Sequence, residues 1–255
     1  MTGRRPDHAP DLQLTAALDA WSEWGLGLSG RPTVVAALEG GRTNRSFRLA
    51  APELDLVLRL NHPDPVSLGI DRALEREILG KTAAAGISRP FLHWDPDDRY
   101  AVFPWLEARS WTDADLASPI QRARLWPLLE RLGEIELQRP RRSYRAYLLH
   151  YWRQLERAGL IDPALDSRWR QFQPRLVAFD RAPWQARLVH HDLVAANILE
   201  RKDRLCLIDW EYAAPGHPDI DIWTIDPGAV AEPFIAEMMG WINGLWERLT
   251  RAQAQ

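Results

Sequence analysis

The stretch Leu188–Ala213, LVHHDLVAANILERKDRLCLIDWEYA, decides how the rest of the chain is read. It holds His190, Asp192 and Asn197 in the pattern H-x-D-x-x-x-x-N. A strand pair turning at Lys202-Asp203 follows, and Asp209 stands at the end of its second, apolar strand. Two carboxylates and one amide near strand ends can hold a hard cation and still leave one carboxylate to take a proton. Mg²⁺ suits such a set, because it prefers oxygen ligands, keeps several waters, and is held by one or two carboxylates together with phosphate oxygens. Phosphoryl transfer needs this division of labour: metal-bound oxygens offset charge on the phosphates, while an Asp orients and deprotonates the attacking hydroxyl. Taken singly, each residue has an ordinary explanation, since Asp and Asn cap turns and a lone His satisfies hydrogen bonds. The set in this spacing points to chemistry.

Around this stretch the texture is helical. Residues 119–137 and 143–158 are strongly periodic, and Asp219 to Gln255 reads as helical and Trp-rich. The basic connector ELQRPRRSYR between the first two is read as a solvated face. Toward the N-terminus the period changes. Leu14, Ala17, Leu18, Trp21 and Trp24 make one amphipathic helix over 12–28, stopped by Gly25 and Gly27. TVVAALEGG, RSFRLAAPE and LDLVLRLN read as three short strands in an antiparallel meander. A helix over 71–85 is closed by Gly86, and FLHWDPDDRYAVFPWL reads as two more strands around an Asp-Pro-Asp-Asp turn. The expected organisation is therefore α+β in two lobes: a small antiparallel-sheet lobe over 11–103, a hinge at 104–107, and a mostly helical lobe over 108–255. Residues up to about Pro10 are read as a frayed terminus.

Composition excludes several classes. With 255 residues, 46% hydrophobic and 26% charged, the chain has enough apolar material for a large core. A net charge of -3 gives no global field for nucleic acid. The single Cys206 forms no internal disulfide, which favours a reducing cytoplasm. No apolar run approaches the roughly 18 residues that a membrane span needs, and the first residues carry no apolar signal core. Nucleic acid and membrane are thus not expected as partners. The 13 tryptophans are read mostly as core.

His190-x-Asp192-x-x-x-x-Asn197 and Ile208-Asp209-Trp210-Glu211 resemble the signature of the aminoglycoside phosphotransferase and choline kinase superfamily. These are small-molecule kinases with a protein-kinase-like fold, and the resemblance reaches most of the chain. It implies that Asp192 is the catalytic base, that Asn197 and Asp209 are Mg²⁺ ligands, that His190 braces the catalytic loop, and that Asp221 supports that loop from behind. His191 and Val194 depart from the pattern, which usually has a small residue before the Asp and often His or Cys two after it.

The N-terminal half carries its own signal. Glu39 to Leu49, EGGRTNRSFRL, resembles the GG-x-T-N-x-x-[FY] loop of choline and thiamine kinases, placing Gly40, Gly41 and Asn44 at the phosphates of ATP. Arg59, in the strand LDLVLRL, stands where a kinase keeps its phosphate-binding Lys. Glu77 is its expected partner on the following helix, with Glu75 as the rival. By the same resemblance the backbone at Pro104 and Leu106 would read adenine. No Gly follows Asp209 and no long activation segment comes after it, which disfavours a protein kinase.

The run LRLNHPDP, the spacing to PWLEARSW, and LIDWEYAAPGHPDIDIW are similar to bacterial thiamine kinases and their choline or ethanolamine kinase relatives. That likeness implies a small cationic alcohol as acceptor, thiamine ahead of choline, with Glu211, Trp210 and Trp111 as candidate acceptor contacts. An aminoglycoside acceptor is the alternative, as is a nucleotide-binding pseudokinase without turnover. A monomer or homodimer is expected.

Overall fold

The computed structural model describes residues 11–253 apart from Gly40 and Arg42, so the first glycine of the GG loop lies outside the described residues. The chain divides into two compact units: residues 1–64 with 89–107, and residues 65–88 with 108–255. The segment 65–88, helix included, thus joins the larger unit rather than the small lobe expected over 11–103. The physical reason is local: Leu68 and Ile70 pack with Tyr212, and the Tyr151 hydroxyl donates to the Leu68 carbonyl at 2.9 Å.

The smaller unit begins with α1 (Leu12–Asp19), capped by the Asp11 carboxylate on the Leu14 N–H. The expected helix over 12–28 is shorter than its apolar spacing suggests. It gives way to a 3₁₀ turn at Trp21–Trp24 and stops at Gly25, φ +69°. Strands β1 (Thr33–Leu38), β2 (Arg45–Ala50), β3 (Asp55–Leu60), β4 (His93–Trp94) and β5 (Tyr100–Pro104) follow. They form one antiparallel sheet in the order β1-β2-β3-β5-β4. Leu49, Leu56, Leu58, Leu60 and Val102 meet Ala17, Leu18 and Trp24 on its covered face.

In the larger unit α2 (Arg72–Ala84) is capped by Asp71 and ended near Gly86, as its sequence indicates. A two-residue strand β6 (Arg109–Ser110) precedes short helices α3 (Asp113–Ala117), α4 (Pro119–Ala123) and α5 (Trp126–Gly133). The periodic run 119–137 is therefore two helices, broken around Arg124-Leu125. Helices α6 (Tyr144–Arg157) and α7 (Pro163–Arg181) come next. The strands β7 (Arg187–Val189), β8 (Ile198–Arg201), β9 (Arg204–Leu207) and β10 (Ala214–Gly216) come after them, and α8 (Asp219–Ile225) and α9 (Phe234–Gln253) close the chain.

The core of this unit is built from α6, α7 and α9. Leu165, Trp169, Phe172, Leu176 and Phe179 fall on one face of α7 and meet Trp152, Met238 and Trp241. Trp152 and Trp169 stack at 4.6 Å with planes 10° apart, so these tryptophans are core as expected. Among the described residues no helix is long and apolar enough to cross a membrane.

Candidate active site

The motif stretch folds as its pattern indicates, and the strands around it fix where its side chains stand. β10 pairs antiparallel with β7, Ala214 opposite Val189, which brings the two ends of the stretch together. β8 and β9 form the hairpin expected at Lys202-Asp203, with Leu199 opposite Cys206. The Ile208 N–H donates to the Asn197 carbonyl at 3.0 Å, fixing the approach to Asp209 against the turn that carries Asn197.

The loop between β7 and β8 is held from below by one carboxylate. Asp221, on α8, accepts the backbone N–H groups of both His190 (2.8 Å) and His191 (3.0 Å). Burial pushes its carboxyl up to about 7 against the lowering effect of those two bonds. Burial also brings His190 down to about 4, so its imidazole is neutral at pH 7. Its Nε2–H therefore donates to the Ile208 carbonyl at 2.9 Å, tying the loop to the strand that delivers Asp209. The ring also lies 4.7 Å from Trp210. His190 and Asp221 thus tie the loop to the strand end at Ile208 and to α8.

His191 explains its own departure from the family pattern. It sits at φ +66°, in the left-handed region that a small residue would occupy without strain. Here the side chain compensates. Its Nε2 is 3.1 Å from the Tyr144 hydroxyl, which in turn accepts the His217 N–H at 2.8 Å. Burial, with the Arg142 charge adding to it, holds the imidazole well below its ordinary pKa, so the ring accepts from the Tyr144 O–H. Gly216 makes the room: a Cβ there would stand 2.6 Å from the His191 ring and the Tyr144 oxygen.

Asp192 and Asn197 are joined directly. The Asn197 side-chain amide donates to the Asp192 carbonyl (2.8 Å) and to Asp192 Oδ2 (3.1 Å). With its donor end committed to Asp192, the amide has its carbonyl oxygen as the end able to ligate a cation. Asp209 is at φ +65°, a non-glycine residue held, like His191, in the left-handed region. Among the described residues no group of three or more His, Cys, Asp or Glu side chains forms a self-sufficient metal cage. One carboxylate, Asp209, and the Asn197 amide oxygen suit a cation that completes its shell with water and phosphate oxygens, which is the habit of Mg²⁺.

Several expected site residues have other roles. Trp210 is fully buried and its Nε1–H donates to the Leu207 carbonyl at 3.1 Å, so it packs the loop rather than lining a pocket. Trp111 is likewise buried, its Nε1–H directed to Glu200 at 3.2 Å. Glu211 is buried and accepts from Arg72 at 3.2 Å. Glu77 receives Arg139 through Nε (3.0 Å) and Nη2 (2.8 Å), whereas the buried acid of α2 is Glu75, bound by Arg72 at 2.7 Å. The periodicity of α2 did not separate these two carboxylates. Only the packing of its faces does.

In the smaller unit, Gly41 is required sterically, since a Cβ there would meet the Asn44 carbonyl oxygen at 2.3 Å. Asn44 is buried and its Oδ1 accepts the His62 N–H at 3.2 Å, bracing the loop against the end of β3. Arg59 is a buried cation on β3, donating to Asn61 at 3.1 Å, with the Trp94 and Phe103 rings about it at 5.5 and 5.6 Å. Pro104 has no N–H to offer, and its carbonyl accepts from Arg89 at 2.8 Å. Leu106 lies in the coil two residues beyond.

The small antiparallel sheet and the helical portion that carries this loop give the chain a kinase-like α+β fold. Residues 34–227 match the Phosphotransferase enzyme family, and the chain belongs to that family. A thiamine kinase of Escherichia coli O17:K52:H18 is 33% identical over 141 residues, a match taking in 48% of this chain and 52% of that protein. The match thus spans about half the length of the curated relative. Among solved structures, the choline kinase LicA from Streptococcus pneumoniae superposes with a TM-score of 0.72 at 18% identity, covering 96% of this chain and 93% of LicA. A choline/ethanolamine kinase family protein from Mesorhizobium loti gives 0.69 at 21% identity, covering 95% and 88%. These two likenesses establish the fold.

Proposed function

We propose that this chain is a small-molecule kinase that transfers the γ-phosphoryl group of ATP to the hydroxyl of a small cationic alcohol, thiamine ahead of choline. The observation that carries the phosphoryl-transfer reading is the Asp192–Asn197 pair, braced by His190 and Asp221 and tied through Ile208 to Asp209. The thiamine preference rests on the relative that is 33% identical. Trp210, Trp111 and Glu211 do not support it, because their polar groups are engaged within the fold.

In this reading Asp192 accepts the proton of the acceptor hydroxyl as that oxygen attacks. The Asn197 amide holds the Asp192 carboxylate in one rotamer through its 3.1 Å bond. Asp209 and the Asn197 carbonyl oxygen would hold Mg²⁺, which when bound offsets negative charge on the phosphates. Arg59 would hold the nucleotide phosphates, and the Gly41 turn would let backbone N–H groups approach them. Asp221 and His190 keep the loop backbone fixed while the proton moves.

The test is ADP release with MgATP against thiamine, choline, ethanolamine, kanamycin and hygromycin B. Turnover on thiamine or choline above the others supports the proposal. Turnover confined to the antibiotics moves the acceptor to the aminoglycoside class. ATP-dependent thermal stabilisation without turnover on any of them supports a pseudokinase.

A further inference from the structure

Arg72 begins α2, where the positive end of the helix dipole disfavours a cation, yet it is 4% exposed. Such a local conflict is retained where tertiary structure uses the residue. Its Nη1 donates to Glu75 at 2.7 Å, one turn along the same helix, and to Glu211 at 3.2 Å, two residues beyond Asp209. All three side chains are at most 3% exposed. A buried acid–base trio of this kind is a poor device for stability, since apolar packing of similar volume often serves at least as well. What it supplies is geometry.

The turn after Asp209 is fastened residue by residue. Trp210 packs on the His190 ring and bonds the Leu207 carbonyl. Tyr212 packs with Leu68 and Ile70, just ahead of α2. Glu211, between them, is fastened to α2 by Arg72. Asp209 itself is at φ +65°, a conformation that persists only where its surroundings impose it.

We infer that Arg72 is a positioning residue for the divalent cation: by clamping Glu211 to Glu75 it holds the turn that presents the Asp209 carboxylate. The inference rests on the reading of Asn197 and Asp209 as metal ligands. Lys in place of Arg72 keeps the charge but ends one bond nearer the backbone than the Nη1 that engages both carboxylates, so its ammonium falls short of the Glu75–Glu211 pair.

The experiment is Mn²⁺ binding, followed by electron spin resonance, to the full chain with AMP-PNP, beside metal-free AMP-PNP binding and thermal unfolding. Arg72→Lys is expected to weaken Mn²⁺ by about tenfold, the range seen when a partner supporting a metal ligand is lost. Metal-free nucleotide affinity should stay within about twofold of wild type. Glu211→Gln should act in the same direction, and the double variant should be no weaker than the weaker single one, because both break one clamp. If Arg72→Lys fails to fold, Glu211→Gln alone decides. A folded variant that binds Mn²⁺ like wild type, or that loses metal-free nucleotide equally, overturns the inference. Wild type that fails to bind Mn²⁺ overturns the metal-ligand reading beneath it.

Discussion

Replacing Tyr144 by Phe removes one oxygen and leaves the ring packed against Phe179 and Trp184, whose centroids lie 5.9 and 6.0 Å away. That oxygen serves two groups, accepting the His217 N–H at 2.8 Å and donating to His191 Nε2 at 3.1 Å. Burial holds the phenol well above its ordinary pKa, so it remains a donor across the accessible pH range. A buried polar group left without its partner costs about 1–3 kcal/mol. Both sites are part-buried, so about 1.5 kcal/mol each, or about 3 kcal/mol together, is the expected loss. For a chain of this size that lowers Tm by about 6–12 °C. The effect should reach catalysis as well, because His191 is held at φ +66° partly by this bond and Asp192 is the next residue. Differential scanning calorimetry and kcat on the same preparation check both parts. A Tm within about 1 °C of wild type would refute the account of how the loop is held.

Asp192→Asn is expected to abolish transfer while leaving nucleotide affinity nearly unchanged, since it removes the proton acceptor; calorimetric titration with AMP-PNP reads the second part, and unchanged kcat would sink the assignment. Asp209→Ala should remove the Mg²⁺ dependence of nucleotide binding, which isothermal titration with and without Mg²⁺ measures. The neutral imidazole of His190 gives a pH signature. Its folded pKa of about 4 lies below the ordinary imidazole value of 6.5, so the unfolded chain takes up the proton first as pH falls. The stability contributed by the neutral ring is complete above about pH 6.5 and is lost on acidification, by about 2–3 kcal/mol at pH 4.5. His191 titrates in the same sense, while Asp221, raised to about 7, acts in the opposite one. The advantage of wild type over His190→Asn in urea should therefore be larger at pH 7 than at pH 4.5 by about 2–3 kcal/mol; an advantage independent of pH would contradict the burial of a neutral ring.

The sheet of the smaller unit was legible because its strands alternate and its turns carry Gly, Pro and Asp. Helix α7 was not: its stripe Leu165, Trp169, Phe172, Leu176, Phe179 is regular, but Pro174 inside it reads as a breaker. The helix continues through that proline because the aromatic packing of the stripe outweighs one missing backbone donor. His190, Asp192, Asn197 and Asp209 were singled out by their spacing and Asp221 by the family resemblance, and hydrogen bonds join His190, Asp192, Asn197 and Asp221 around one loop. Tyr144 and Gly216 carry no such signal, since each matters only through contacts with residues distant in sequence. Arg72 left a trace, a cation at a helix start, whose meaning came only with Glu211. Glu211, Trp210 and Trp111 show the reverse error: residue types suited to a cationic acceptor, placed by the fold in its own interior.

In the proposed function, Asp192 accepts the proton as phosphoryl passes to the acceptor hydroxyl. That step is tested most directly by ³¹P NMR of wild type and Asp192→Asn incubated with MgATP and thiamine. A new phosphomonoester resonance is expected to grow with wild type as the ATP γ-signal declines, and none with the variant. A product formed equally by both proteins, or γ-phosphate appearing only as inorganic phosphate, would contradict it.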